Sequence, residues 1–332
     1  MFIHHRSNGE ITLLCLFVDD LFGFSNERAF LMKVKARLDD VFDLKDAGDP
    51  EYVLGIHIER NKTTGSIKLH QEKYIANMLD KFNMTTCHTV RTPADPAVIL
   101  CVDDGSTLLT KDIPYREAVG ALLFAAVMTV PNIAYAVSRV AKFVETPRES
   151  HWTAVKRIFR YLKGNMDKGI CFEKTDGKPL IEMYCDADYA TDVDTRKSTS
   201  GYVAFLAGGP VSWRSTSQKG TALSTCVAEL YALTDATVHV IWHRNLLKSM
   251  GFEQAEATVM NEDNQAAIAV CENDMMTRRI KCVGVRLSFL REQVNENAIT
   301  LVNVASDENV ADIFTKALGT QTFEYHAERL MS

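Results

Sequence analysis

Several acids of this chain stand at the ends of apolar segments, where a carboxylate can meet solvent or an ion. Ile181, Met183 and Cys185 alternate with Glu182, Tyr184 and Asp186, the period of a half-buried strand, and the polar run from Asp186 to Asp192 breaks the pattern. Asp186 therefore sits where a strand opens; with Asp188 it reads either as a solvated turn or as an ion ligand. Asp263 repeats the arrangement at the end of a strand that begins at Ala257. Glu229 falls in the first turns of a helix that Ser224 or Thr225 would cap, a position where glutamate ordinarily compensates the helix dipole. Asp312 lies beside Ile313 and Phe314 in a final helix. Near the start, Asp19 and Asp20 form the tip of a hairpin between Ile11–Val18 and Leu21–Phe24. Adjacent carboxylates repel, and either solvent screening or a divalent cation relieves them.

The elements that must hold these acids follow from pattern. A helix near Glu27–Val41, strands near Tyr52–Glu59 and Ser66–His70, and a turn at Thr64-Gly65 complete a first region, 1–70. Helices then dominate 71–165: Tyr74, Ile75, Met78, Leu79 and Phe82 recur at helical spacing, as do Ile133, Val137, Val140 and Val144 after Pro131. Trp152, Val155, Ile158, Phe159 and Leu162 form one face of a third helix, and Lys156, Arg157, Arg160 and Lys163 lie along the other side. Between Arg139 and Lys168 eight Lys/Arg face three acids, a local charge of +5. Such a stripe is either a solvated face or a sequence-independent, salt-sensitive contact for phosphates. In 166–332 the order is strands near Gly169–Glu173, Ile181–Cys185, Gly201–Leu206 and Val211–Arg214, then helix, strand, helix, strand, helix.

Bulk composition bounds the reading. With 332 residues, 46% hydrophobic and 24% charged, the chain is globular and long enough for two or three domains. A net charge of −6 withholds the global basic footprint of a nucleic-acid binder, so such a partner would need a local patch or bound cations. The eight cysteines show no C-x-x-C pair, which fits buried thiols of a reducing compartment. The apolar run Ile11–Val18 is too short for a membrane span and ends in two aspartates. The expectation is an intracellular, cytoplasmic protein with no membrane partner.

Three groups of residues carry a resemblance to a known family. Phe17-Val18-Asp19-Asp20, Val41-Phe42-Asp43-Leu44-Lys45-Asp46 and Tyr52-Val53-Leu54-Gly55-Ile56 resemble the reverse transcriptase palm of Ty1/copia-type retrotransposon Pol polyproteins, with Phe17 where tyrosine is usual. Tyr115–Gly120, Pro131–Val137 and His151–Gly164 resemble the thumb and connecting segments of the same polyprotein. Cys185–Asp188, Thr195–Tyr202, Ala228–Leu233, Glu262–Ala267 and Val310–Lys316 resemble its ribonuclease H domain in joint order.

The resemblance implies an α/β protein: an α+β palm remnant over 1–70, a helical thumb-like region over 71–165, and a ribonuclease H-like mixed five-stranded sheet with helices over 166–332. It implies that Asp186, Glu229, Asp263 and Asp312 bind two Mg²⁺ or Mn²⁺ ions, and that Asp19 and Asp20 are palm metal ligands. Two hard cations can stabilise the attacking and leaving oxygens of phosphodiester hydrolysis, and oxygen-only ligands suit them. The implied substrate is the RNA strand of an RNA–DNA hybrid, with template-primer nucleic acid and the rest of a Pol polyprotein as further partners. Because Met1 stands only sixteen residues before Phe17, this polypeptide is not expected to polymerise DNA alone. In the family, histidines stand near Cys282 and at Ser288, so a catalytically decayed remnant with a binding or structural role is the alternative. A glycosyltransferase using Asp186-Ala187-Asp188 lacks a donor domain here.

Overall fold

The computed structural model describes residues 1–5, 9–175, 177–273 and 282–332. It is a mixed α/β structure with three sheets. The first is a meander of β1 (Phe2–His5), β2 (Ile11–Phe17) and β3 (Asp20–Ser25), followed by α1 (Arg28–Phe42). None of the residues of α1 is buried, and Phe2, Leu16, Phe17, Val18 and Phe24 are exposed, so this part has little core of its own.

The second sheet joins β4 (Tyr52–Val53), β5 (Ile56–Arg60), β6 (Ile67–His70) and β7 (Ile170–Phe172). The strand expected near Gly169–Glu173 thus pairs backward with β6, Ile67 opposite Phe172, instead of starting the last sheet. Gly169 makes this approach possible, since a Cβ there would lie 2.5 Å from the Leu69 carbonyl oxygen.

Between β6 and β7 run α2 (Glu72–Lys81), α3 (Tyr115–Met128), a short 3-10 turn at Pro131–Ile133, α4 (Ala134–Ala141) and α5 (Glu149–Lys163). Their apolar faces meet around Ile75, Leu122, Ile133, Ile158, Phe159 and Leu162, all essentially without solvent contact. The spacing predicted α2, α4 and α5 within a few residues of their ends, but not α3, whose sequence is apolar along most of its length.

The third sheet has the order β10-β9-β8-β11-β12, built from β8 (Glu182–Asp188), β9 (Thr199–Leu206), β10 (Gly209–Ser217), β11 (Thr258–Glu262) and β12 (Ile299–Asn303). β8–β10 are antiparallel, whereas β11 pairs parallel with both β8 and β12. This is the mixed five-stranded sheet that the resemblance implied. Alternation decides its two faces. Met183, Cys185 and Ala187 of β8 with Tyr202 and Ala204 of β9 pack on α6 (Thr225–Ser249), α7 (Gln265–Glu272) and α8 (Gly284–Asn295). Tyr184 and Val203 point the other way, into the core of α2–α5, which also takes Phe314 and α9 (Thr320–Leu330). The helical region and the third sheet therefore share one apolar core.

Candidate metal centre

Asp186 lies near the end of β8, the central strand, with β9 on one side and β11 on the other. The parallel pairing of β11 runs to Asn261 opposite Tyr184, so Glu262 and Asp263 come level with Cys185 and Asp186. Asp263 follows the last residue of β11, where Asn264 caps α7 by accepting the Ala267 N–H at 3.0 Å. Ser224 caps α6, its hydroxyl accepting the Val227 N–H, and Glu229 then faces the sheet from the second turn. Its burial (5% exposed) sets it apart from the solvated glutamates that ordinarily balance a helix dipole.

Asp312 arrives differently from the expectation. The segment is not a regular helix but a 3-10 turn, Val310–Phe314. It lies against β8 and β9 because Gly201, paired with Asp186, has no side chain: a Cβ there would be 2.7 Å from Phe314 Cβ and Thr315 Cγ2. Asn309 pins the approach, donating from Nδ2 to the Cys185 carbonyl at 2.9 Å while its Oδ1 accepts the Ala311 N–H. The Thr315 hydroxyl donates to Asp186 Oδ2.

The four acids singled out from the sequence converge. Ligand oxygens of Asp186, Asp263 and Asp312 lie within 4.8 Å of one another, as do those of Glu229, Glu262 and Asp263, so Asp263 belongs to both groups. Two participants were missed. Glu262 stands inside the resemblance but is given no role by it; strand alternation alone would put it and Asp263 on opposite faces, and the end of β11 at Glu262 releases Asp263 from that rule. Lys316 Nζ lies 2.8 Å from Asp312 Oδ1 and 3.9 Å from Asp186 Oδ2. Its i,i+4 spacing from Asp312 was the available signal.

Burial and mutual repulsion dominate the electrostatics. The Glu229 carboxyl is pushed well above the usual range by burial and then by Glu262, Asp186 and Asp263. Asp312 is raised to about 7 by burial and Asp186, with Lys316 pulling back. Glu262 is raised to about 8, chiefly by burial, with Asp186 and Asp263 adding to it against the Asn264 N–H. Glu229 Oε2 is buried without a hydrogen-bond partner. An all-oxygen set with an unpartnered buried carboxylate oxygen fits a hard divalent cation, the Mg²⁺ or Mn²⁺ of the expectation.

Asp19 and Asp20 are elsewhere, both exposed. Val18 and Asp19 make the two-residue turn, with Val18 at φ 51° and Phe17 paired with Asp20. Among the described residues no other His, Cys, Asp or Glu joins them in a three-residue ligand cluster. His57, Glu59 and His70 do form such a cluster, with His57 Nδ1 2.8 Å from His70 Nε2. The Glu72 N–H donates to His70 Nδ1 at 3.4 Å and His70 Nε2 lies 3.1 Å from Glu59 Oε1, so the three side chains are linked to one another by hydrogen bonds within the second sheet.

The basic row on α5 is built into the fold. Arg157 donates to the Thr92 carbonyl and hydroxyl and pairs with Asp95; Arg160 donates to the His88 carbonyl and Lys163 to that of Cys87. Lys156 is half-buried beside them. Of the two departures near the expected histidines, Cys282 and Ser288 are exposed, and residues 278–281 of that stretch lie outside the described residues. No helix among the described residues is long and apolar enough to cross a membrane.

Comparison with known proteins adds the context. Residues 1–96 match the family described as Reverse transcriptase (RNA-dependent DNA polymerase). The chain is 38% identical over 323 residues to the retrovirus-related Pol polyprotein from transposon TNT 1-94 of Nicotiana tabacum, covering 96% of this chain and 24% of that protein. It is 33% identical over 222 residues to a putative transposon Ty5-1 protein of Saccharomyces cerevisiae, covering 66% of this chain and 70% of that protein. Among solved structures, LC11-RNase H1 aligns with a TM-score of 0.33 at 15% identity, covering 44% of this chain and 96% of that one. The chain spans about a quarter of the length of the TNT 1-94 polyprotein.

Proposed function

Given that the chain belongs to the Pol polyproteins of copia-type retrotransposons, we propose that region 166–332 hydrolyses the RNA strand of RNA–DNA hybrids at the Asp186 site. Region 1–70 is then palm-derived and 71–165 thumb-like. The observation that carries the reading is the convergence of Asp186, Glu229, Asp263 and Asp312 from four separate elements onto two overlapping oxygen clusters.

Asp186, Glu229, Asp263 and Asp312 would hold two Mg²⁺ or Mn²⁺ ions, which when bound supply Lewis-acid stabilisation of the attacking and leaving oxygens. The rest is the work of the chain. Thr315, donating to Asp186, and Asn309, holding the β8 backbone, fix two carboxylates before substrate arrives. This preorganisation removes the reorganisation cost of assembling the charges during the reaction. Lys316 offsets part of the carboxylate charge, so a phosphodiester meets a less repulsive mouth. The α5 row, Lys156, Arg157, Arg160 and Lys163, adds local positive potential for a duplex backbone, although three of the four also hold residues 87–95 in place.

The test is cleavage of labelled RNA–DNA hybrid with Mg²⁺ or Mn²⁺, beside Asp263→Asn. Cleavage by the unmodified chain and none by the variant supports the reading; equal cleavage by both refutes the site. Hybrid binding without cleavage points to the decayed remnant, the reading favoured by the departures at Cys282 and Ser288.

A further inference from the structure

We infer that Glu262 is a fifth carboxylate of the metal centre, closing with Glu229 and Asp263 a second cation seat beside that of Asp186, Asp263 and Asp312. This rests on the hydrolytic site proposed above and adds a ligand that neither the sequence pattern nor the resemblance assigned.

The two clusters differ in what neutralises them. At Asp186 and Asp312 the chain supplies its own cation, Lys316, with Nζ 2.8 Å from one carboxylate and 3.9 Å from the other. Thr315 adds a hydroxyl donor to Asp186. No ion pair of the described residues reaches Glu229 or Glu262. Glu229, 5% exposed, leaves Oε2 with no partner. Glu262 is fully buried; Oε1 accepts the Asn264 N–H at 3.0 Å, and Oε2 faces only the weak Cys185 thiol donor at 3.5 Å.

Buried carboxylates in apposition, one with an unpaired oxygen, are costly unless something positive lies between them. The register explains why Glu262 is available. β11 brings it level with Cys185, one step before Asp186, with Oε2 3.5 Å from the Cys185 thiol and its carboxylate within reach of that of Glu229 on α6. Three carboxylates within 4.8 Å of one another, with no nitrogen or sulfur ligand in the set, are the donor chemistry of Mg²⁺ or Mn²⁺. Asp263 belongs to both clusters, so its removal would weaken both seats.

The experiment is Mn²⁺ titration calorimetry on the full chain and on E262Q, E262M and D263N, with melting temperatures measured with and without Mn²⁺. The wild type should bind two Mn²⁺. E262Q should weaken one of the two steps by at least about 10-fold, the lower end of what losing even a residue that only supports a ligand costs. Without metal, E262Q and E262M should melt no lower than wild type, while gaining less from added Mn²⁺. Loss of binding in D263N together with wild-type binding in E262Q overturns the role of Glu262 and leaves the site standing. Absence of Mn²⁺ binding by the wild type, or full binding by D263N, overturns the site itself. Crystals of the wild type soaked in Mn²⁺ give a check that needs no variant: an anomalous peak at ligand distance from Glu262 is expected, and peaks confined to Asp186 and Asp312 overturn the inference.

Discussion

The molecule presents acids in two settings, the Asp19–Asp20 hairpin tip and the Asp186 centre, and they differ in everything except residue type. The tip offers two neighbours, Asp19 on the two-residue turn and Asp20 at the first position of β3, both exposed to water. The centre draws carboxylates from the ends of β8 and β11, the second turn of α6 and a 3-10 segment, and buries most of them. Repulsion at the tip is relieved by solvent at little cost. At the centre it is stored together with the cost of burial, which leads in pushing Glu229, Glu262 and Asp312 above the usual carboxylate range, with the neighbouring acids adding to it. A set of acids becomes a ligand site when the fold withdraws water from it and leaves oxygens unpaired.

The comparison breaks or stands first on activity. Asp186→Asn should lower hybrid cleavage by on the order of 10²–10³-fold, the range seen when a preorganised electrostatic group is removed, whereas Asp19→Asn with Asp20→Asn should leave it unchanged. A loss in the hairpin variant, measured by cleavage under single-turnover conditions, would unite the two settings.

Next in size is the geometry that assembles the centre. Gly201→Ala drives a Cβ to 2.7 Å from Phe314 and Thr315 and 3.1 Å from the Ala311 carbonyl oxygen. It should cost about 1–3 kcal/mol of stability, as overpacking does, and should reduce Mn²⁺ affinity by displacing Asp312. Denaturant unfolding and metal titration check the two effects, and a wild-type metal affinity would mean that Asp312 is positioned independently of this contact.

A smaller effect is expected from pH. Asp312 and Glu262 have folded-state values of about 7 and about 8, above their ordinary range. The folded state then binds more protons than the unfolded state in this window, so stability falls as pH rises. Metal-free protein should melt lower at pH 8 than at pH 6.5, and Mn²⁺ should shrink the difference. Histidines held below their ordinary value, such as His326 at about 4, oppose this trend near pH 6.5 and cease to do so toward pH 8, against the larger effect of the carboxyl groups. A flat or rising melting curve between these pH values would remove the stored repulsion from the account.

The smallest effect belongs to the α5 row. Replacing Lys156, Arg160 and Lys163 by Gln should weaken hybrid binding modestly and flatten its dependence on salt. Binding that is equal at low and high salt in the wild type would reduce these side chains to their hydrogen bonds with residues 87–88.

Much of this was legible in the chain because local physics writes it there. The alternation around Met183 and Cys185 marks β8 and its two faces, Ser224 marks the start of α6, and the spacing of Val155, Ile158, Phe159 and Leu162 marks α5. The four acids stood at points where those patterns end. Other features depend on partners distant in sequence. Arg160 looks like a solvated cation until residues 87–95 fold over it. The strand at Ile170–Phe172 looks like the first of the last sheet until Gly169 lets it lie against β6.

By itself the sequence determined most of the elements, their order and the residues that could ligate, because periodicity and capping act within a few residues of one another. Only the tertiary structure decided which of those residues meet. The parallel register of β11 on β8 brings Glu262 and Asp263 level with Cys185 and Asp186, and the missing side chain of Gly201 admits Asp312 to the centre. Lys316 then pairs directly with Asp312 of one carboxylate cluster and reaches Glu229 of the other only through longer-range attraction. Register, close approach and burial are properties of pairs of segments, and the electrostatics of the centre arise from those pairs.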